Sequence, residues 1–232
     1  MREVVFDTET TGLEVEQGHR VVEIGALELL NHVPSGRSFH VYLNPERPMP
    51  EDALRVHGLT SAFLADQPVF SDVVDDLLAF LDLDRDANPS PARLIAHNAS
   101  FDVAFLDMEL ERVGRAKIAP ERVIDSLQLA RQRFPGAPNS LDALCRRFNV
   151  DCSARVKHGA LLDSELLAEV YLWLIGGRQP DLGLVAGPRR TGAPIGRPRV
   201  FRPARPHAPE PAELAAHEAF LDQLKEPIWR LG

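Results

Sequence analysis

A short apolar strand that runs directly into two carboxylates constrains this chain more than any other feature. Val4–Phe6 predicts a buried strand that ends in a loop of acids and threonines, where Asp7 and Glu9 stand two residues apart. In extended backbone, residues two apart point to the same side. Two like charges at the end of a buried strand are costly unless a counter-charge lies between them. The start of the chain therefore predicts a sheet edge that faces a divalent cation.

The composition is that of a globular protein with a sizeable core. Of the 232 residues, 44% are hydrophobic and 26% are charged, which argues against wholesale disorder. The chain begins without a signal-peptide pattern, and no stretch approaches the roughly 18 uninterrupted apolar residues of a membrane span. Cys145 and Cys152 cannot staple a chain of this length and fit a reducing compartment. We therefore exclude secreted, disulfide-rich and membrane classes and expect a cytoplasmic location.

The apolar pattern predicts strands first, and then strands alternating with helices. Strands at 20–30 and 38–43, joined by a turn at 34–36, pair most simply as an antiparallel unit with the first strand. Further strands are predicted at 93–96 and 123–124. Helices are predicted at 71–81, 100–113, 126–133, 140–148 and 160–175. This order is typical of an α/β protein with a mixed sheet, three antiparallel strands plus parallel strands, flanked by helices.

Charge and composition change after residue 184. Residues 185–209 contain six arginines, six prolines and no acid, which predicts a disordered basic linker. Residues 210–232 carry a net charge of −3, and 211–224 has an amphipathic pattern. Residues 1–184 are left with a net charge of −11. A domain this acidic is an unusual partner for nucleic acid unless bound metal supplies positive charge.

Two further acids and a histidine lie near predicted helix starts. Asp102 and Asp163 each fall in the first turn of a helix, where an acid often only complements the helix dipole. His158 precedes Asp163 by five residues, so both can face one site only if His158 lies in the loop before the helix. A histidine there would be a good general base for a metal-bound water, and the structural alternative is a surface histidine.

The ligand types indicate a hard divalent cation. Carboxylate oxygens without cysteine favour Mg²⁺ or Mn²⁺ over zinc. Two such ions a few ångströms apart can clamp the attacking and leaving oxygens of an in-line displacement at phosphorus. The acids therefore predict a pair of Mg²⁺ or Mn²⁺ ions and phosphodiester chemistry.

Three segments resemble, in order, the motifs of the DEDDh 3′→5′ exonucleases. They are Val5–Leu13, Ala96–Asp102 and His158–Asp163, the last with the five-residue offset from His to Asp. The resemblance implies a ribonuclease H-like fold. It also implies that His158 is the general base that activates the attacking water. The implied metal ligands are Asp7, Glu9, Asp102 and Asp163.

Other segments resemble the branch of this family that proofreads for bacterial replicative polymerases. These segments are 20–26, 39–43, 139–145, 167–172 and 215–219. The resemblance implies removal of mispaired nucleotides from the 3′ end of new DNA, because a mismatch lowers the cost of unpairing the terminus. It adds substrate contacts by Asp52 and His57 to those of Asp7, Glu9 and Asp163. Asp52 stands where glutamate is usual, one methylene shorter.

The same resemblance implies protein partners for the end of the chain. Gln179, Leu182 and Leu184 resemble a peptide that binds the sliding clamp, although the leucines alternatively pack back on the core. The tail would dock onto the polymerase catalytic subunit, and some members of the branch bind a third, small subunit. The predicted organisation is an exonuclease domain at 1–177, a clamp-binding peptide at 178–184, the linker at 185–209 and a docking tail at 210–232.

Two other functions stay open at this point. A free-standing enzyme that trims RNA or oligonucleotides would keep the chemistry, but it needs neither a clamp-like peptide nor a docking tail. An inactive protein that bridges clamp and polymerase would need the tail, but it would not need the complete set of five site residues.

Overall fold

Five strands form one mixed sheet at the centre of the fold. They are β1 (Arg2–Thr10), β2 (Val21–Leu30), β3 (Val33–Tyr42), β4 (Arg93–Ala96) and β5 (Val123–Asp125). Their order across the sheet is β3-β2-β1-β4-β5. β1 pairs antiparallel with β2, and β2 with β3, whereas β4 is parallel to both β1 and β5. The predicted combination of three antiparallel strands with parallel strands is confirmed in this computed structural model, which describes residues 1–83, 91–153, 157–176 and 209–225.

Eight α-helices are formed by the described residues. They are α1 (Glu51–His57), α2 (Ser61–Ala65), α3 (Phe70–Leu81), α4 (Ala99–Arg112), α5 (Ser126–Arg133), α6 (Leu141–Phe148), α7 (Ala160–Leu174) and α8 (Pro211–Leu221). The chain divides into two units, residues 1–182 and 183–232, and α8 belongs to the second. A reciprocal capping box between Glu210 and Glu213 starts α8, with Pro211 in its first turn. Of the helices described, none is long and apolar enough to cross a membrane.

Two hydrophobic cores lie on opposite faces of the sheet. Val4 and Phe6 of β1 pack into a core with α3 and α4, while Val5 packs into a core with α5, α6 and α7. This division follows from the strand geometry, because successive side chains point to opposite faces. The alternation continues along β1 and decides on which side each later residue of the strand lies.

Several boundaries differ from those expected from the sequence. β1 does not end before Asp7, because its pairing with β2 continues as far as Thr10. The turn between β2 and β3 lies at Asn31 and His32, both with positive φ, and not at 34–36. Pro34 instead lies within β3, which is an edge strand, where a missing N–H is tolerated. The short helices α1 and α2 were not predicted.

The predicted tail and linker fall largely outside this description. The clamp-binding peptide at 178–184 lies outside the described residues, as does the linker at 185–209 apart from Pro209. The helix α8 lies within the amphipathic segment predicted at 211–224. The domain boundaries after 177, 184 and 209 stay predictions.

α7 is seated directly on β2 at Gly25. A Cβ atom at Gly25 would lie 2.2 Å from the backbone carbon of Ala160 and from the backbone nitrogen of Leu161. The hydroxyl of Ser164 donates a hydrogen bond to the carbonyl of Gly25 at 2.9 Å. Glycine is required here for close backbone approach. The contact fixes the first turn of α7, and with it Asp163, over the sheet.

We predict that Gly25→Ala lowers the free energy of unfolding by about 3 kcal/mol, because the new methyl group overlaps rigid backbone. Hydrolytic activity falls as well, since Asp163 moves with α7. Denaturant unfolding measures the first effect. Gly36→Ala is the control: its Cβ would meet nothing within 4 Å, so only its positive φ costs stability, roughly 1 kcal/mol. Equal losses in the two variants would contradict the steric explanation.

Candidate active site

Asp7 and Glu9 lie on the face of β1 that α7 covers. They continue the alternation that begins at Val5, whose side chain packs into the core beside α7. Asp7 is partly exposed and Glu9 is buried. Because β1 is an interior strand, paired with β2 on one side and with β4 on the other, its backbone holds both acids in place.

His158 and Asp163 approach this face from α7. Asp163 is buried in the first turn of the helix, and His158 lies in the loop before it, as the sequence predicts. The side chain of His158 is half-exposed, and its Nδ1 lies 3.1 Å from Oδ2 of Asp163. The backbone N–H of His158 donates to the carbonyl of Val56 at 3.4 Å. The loop is thereby tied to the end of α1, and the histidine faces the same site as the acids.

Asp102 reaches the site from the opposite face of the sheet. It is fully buried in the first turn of α4, and its Oδ1 accepts hydrogen bonds from the backbone N–H of Thr8 at 3.0 Å and from the Thr8 hydroxyl at 2.7 Å. Burial raises the pKa of Asp102 to about 7, although the bonds from Thr8 oppose the rise. A cation beside this carboxylate would stabilise its charged form and lower its pKa.

One cleft of about 260 Å³ brings the predicted residues together. It is lined by all five of them: Asp7, Glu9, Asp102, His158 and Asp163. Ligand atoms of Glu9, His158 and Asp163 lie within 4.8 Å of one another, close enough to surround one ion. Asp7 and Asp102 line the same cleft outside that group of three. The donor set is dominated by hard oxygens and fits Mg²⁺ or Mn²⁺ better than a thiophilic metal.

The cleft also contains residues to which sequence reasoning assigned no function. His97, Phe101 and Asp142 line it. A signal for each was present, because His97 and Phe101 lie inside the second motif-like segment, and Asp142 lies inside the segment 139–145. Short motifs identify a segment, and only the fold shows which of its side chains turn toward the site.

The predicted substrate contacts Asp52 and His57 lie in a neighbouring pocket of about 520 Å³ rather than in the cleft. The pocket adjoins the cleft, because Thr8, Glu9 and Phe101 line both. His57 is buried, and burial lowers its pKa, so the ring is neutral at pH 7. Its Nδ1 accepts a hydrogen bond from the N–H of Leu59 at 3.0 Å.

Apolar side chains make up much of the pocket wall, whereas Asp52 is exposed. The apolar lining includes Leu13, Pro50, Ala53, Val56 and Phe101. Asp52 stands on α1 and forms an ion pair with Arg55, one helical turn on. A flat, uncharged group such as a nucleobase fits this wall better than a phosphate does.

This arrangement of sheet and cleft is that of an exonuclease. A family model described as an exonuclease matches residues 4–171, well over half of the chain. The nuclease domain of 3′hExo, a DEDDh family member solved bound to rAMP, aligns with a TM-score of 0.62 at 19% identity over 76% of this chain and 92% of that chain. Exonuclease X, solved in complex with 5′ overhanging duplex DNA, aligns with a TM-score of 0.57 at 24% identity over 75% of this chain and 91% of that chain. These likenesses confirm the ribonuclease H-like fold.

Named relatives narrow the assignment. The DNA polymerase III subunit epsilon of Rickettsia typhi is 43% identical over 97% of this chain and 97% of its own length. The protein of the same name from Escherichia coli (strain K12) is 40% identical over 99% of this chain and 97% of its own length. The one from Rickettsia felis is 52% identical over 80% of this chain and 79% of its own length. The chain therefore belongs to the exonuclease family and, within it, to the epsilon subunits of DNA polymerase III.

We predict that Asp102→Asn stabilises the metal-free protein at pH 8 by roughly 4 kcal/mol, because each pKa unit is worth about 1.4 kcal/mol, and changes little at pH 4. The folded pKa of about 7 lies above the unfolded value of 3.8. The unfolded chain therefore releases this proton first, and stability falls as the pH rises from 4 to 7. Asparagine removes the charge and keeps an oxygen that can accept both bonds from Thr8.

Denaturant unfolding in EDTA across this pH range measures the effect. Asp142→Asn removes an exposed carboxylate from the same cleft and serves as the control. A pH dependence shared equally by the wild type and by Asp102→Asn would contradict the explanation.

Proposed function

We propose that this chain removes mispaired nucleotides from the 3′ end of newly made DNA, as the proofreading 3′→5′ exonuclease of a bacterial replicase. The observation that carries the proposal is the convergence of four carboxylates and a half-exposed histidine in one cleft beside an apolar pocket. The cleft suits hydrolysis of a phosphodiester, and the pocket suits the unpaired terminal nucleotide.

The family depends on divalent metal, and we assign the ions to Asp7, Glu9, Asp102 and Asp163 as two Mg²⁺ or Mn²⁺. Bound there, the ions would offset the charge of the phosphate and lower the pKa of a coordinated water. The buried carboxyl of Asp102 supports this assignment, because a buried charge without a counter-charge is costly. A metal pair also explains how a domain with a charge of −11 at residues 1–184 accepts an anionic substrate.

His158 would take the proton from the attacking water. Its contact with Asp163 orients the ring, and a proton held on Nδ1 by that carboxylate leaves the lone pair on Nε2 to act as the base. Its partial exposure suits this function, since the ring can approach a water at the cleft mouth. The hydrogen bond from its backbone N–H to the carbonyl of Val56 connects the base to α1, the helix that forms one side of the neighbouring pocket.

The apolar pocket would hold the terminal nucleoside, with its phosphodiester in the cleft. Leu13 is 81% exposed at the pocket wall, so burial against a base would be favourable. Neutral His57 and the hydrocarbon wall hold a base without reading its identity. Selectivity then comes from the cost of unpairing, which is lower for a mismatched terminus. Asp52 would contact the same nucleotide from the exposed rim.

The partners follow from the relatives, which are named as subunits of DNA polymerase III. We propose that the tail at 210–232 docks onto the polymerase catalytic subunit. Leu214 and Phe220 of α8 are about half-exposed, as a docking helix requires. Binding of the clamp through Gln179, Leu182 and Leu184, and of a third small subunit, stay predictions. A function in replication agrees with the expected cytoplasmic location.

We predict that His158→Ala slows release of nucleotides from a primer with a 3′-terminal mismatch by about 10²–10⁴-fold, the usual contribution of a general base. Wild-type release requires Mg²⁺ or Mn²⁺, stops in EDTA and is faster than from a paired end. His217→Ala, in exposed α8, is the matched histidine control. Failure of folded wild-type protein to degrade this DNA would refute the proposal, and RNA would be the next substrate.

We predict that deleting residues 178–232 leaves the turnover of the isolated protein on mismatched DNA unchanged but abolishes its stimulation by the polymerase catalytic subunit. The tail acts by raising the effective concentration at the primer end. Turnover measured with and without that subunit tests this. A trimming enzyme would lose nothing on deletion, and a bridging protein would show no turnover in either form.

A further inference from the structure

A third cavity, of about 680 Å³, continues from the catalytic cleft and forms what we call the α5 groove. His97 and Ser140 line both the cleft and the groove. The remaining lining residues are Asn98, Leu127, Arg131, Gly136, Ala137 and Asn139. The cleft therefore lies between the apolar pocket, with which it shares Thr8 and Glu9, and the α5 groove.

The order of the three cavities, pocket, cleft and α5 groove, indicates the direction in which a bound strand runs across the protein. If the terminal nucleoside occupies the pocket and its phosphodiester the cleft, the next nucleotides continue into the α5 groove. A different cavity adjoins the pocket near Leu13, but Glu14 and Glu16 line it. Two carboxylates there would repel a phosphate backbone. The α5 groove is the more favourable path for an anionic strand.

Arg131 is the only arginine or lysine among the described residues that line the pocket, the cleft and the α5 groove. It is exposed, and its guanidinium forms no hydrogen bond or ion pair with another described residue. Neighbouring arginines differ in this respect. Arg133 donates to the carbonyls of Trp173 and Leu174 at 2.7 Å each, and Arg147 donates to Asn139 at 3.1 Å. The guanidinium of Arg131 can therefore bind a ligand.

Hydrogen bonds hold the loop and the helix start around Arg131 in place. Asn139 is buried, and its amide donates to the carbonyls of Phe134 at 3.2 Å and Ala137 at 2.9 Å, which closes the loop that walls the groove. The nearby carboxylate of Asp125 caps α5 by accepting hydrogen bonds from the N–H groups of Leu127 and Gln128, and it also accepts one from the N–H of Asn98. Asp125 lies six residues before Arg131, about 9 Å along the helix. Its charge is directed to backbone N–H groups at the helix start rather than to the guanidinium.

We propose that Arg131 binds a backbone phosphate of the DNA strand upstream of the scissile bond, in the α5 groove. The inference rests on the proposed function and deepens it, because it adds a cation of the chain itself to the positive charge of the metals. The planar guanidinium matches a phosphate with two parallel N–H donors. The contact is independent of base identity, as an enzyme that removes any mispaired nucleotide requires.

The test compares two substrates that differ in length. One is a single-stranded oligonucleotide that fills the α5 groove. The other is the p-nitrophenyl ester of thymidine 5′-monophosphate, which has a phosphodiester but no upstream nucleotide. Arg131→Gln should raise KM for the oligonucleotide about tenfold with little change in kcat, because an exposed charge-assisted contact is lost. Kinetics on the ester should not change. Arg131→Lys should restore only part of the KM, since lysine keeps the charge without the fork.

The dependence on salt gives a second readout. Losing one phosphate contact to a single strand should reduce the slope of log(kcat/KM) against log[salt] by about 0.7. Arg112→Gln is the control, because it removes the same charge from an exposed site ten residues beyond Asp102 on α4, about 15 Å along the helix. The proposal is overturned if Arg131→Gln changes KM and the slope no more than Arg112→Gln, or if it slows the ester equally.

Binding of labelled single-stranded DNA in Mg²⁺, measured by fluorescence anisotropy with both substitutions in a His158→Ala background so that the metals stay and hydrolysis is slow, separates this proposal from the proposed function. Binding that weakens in Arg131→Gln and not in Arg112→Gln supports the α5 groove even if the wild type hydrolyses nothing. Equal binding by both variants overturns it, even if the wild type is an active exonuclease.

Discussion

Three carboxylates held together where little water reaches them are the constraint on which the rest of the structure depends. Glu9, Asp102 and Asp163 are at most 8% exposed, so their mutual repulsion is poorly screened. A different set of contacts holds each carboxylate in place. The pairing of β1 on both sides holds Glu9, two hydrogen bonds from Thr8 hold Asp102, and the seating of α7 on Gly25 holds Asp163. The fold supplies the rigidity that an array of like charges needs before a metal joins it.

The site consists of three adjoining cavities whose linings differ in charge and polarity, and each lining suits a different part of a nucleotide strand. The cleft is lined by carboxylates, which suit divalent metal ions, and ions bound there would in turn suit a phosphate. The pocket beside it is largely apolar, and burial keeps His57 neutral there, so it suits a base. The α5 groove presents Arg131. Among the described residues that line the three cavities, the one positively charged side chain lies where a backbone phosphate would lie, which favours binding along one path.

Regular elements with strong patterns were predicted well, because their local preferences agree with the tertiary fold. The strand at 93–96 and the helix at 126–133 have the predicted bounds. The first strand was expected to end before Asp7, since charged residues are unusual in a buried strand, but pairing with β2 outweighs that preference. The helix α1 escaped prediction because its seven residues give little periodicity. It matters nevertheless, since it carries Asp52 and His57 and its Val56 accepts the bond from His158.

By itself, the sequence determined the types of chemical group and their order along the chain. The spacing of Asp7 and Glu9 places both on one side of a strand, and the offset of His158 from Asp163 requires a loop before the helix. Only the tertiary structure decided which groups meet. Asp102 comes from the opposite face of the sheet and Arg131 from a helix in another part of the chain, and distances between such residues depend on packing rather than on local pattern. The close approach at Gly25 shows why packing decides the site. The point at which α7 contacts the sheet sets the positions of Asp163 and His158, and no local pattern in the sequence specifies that point.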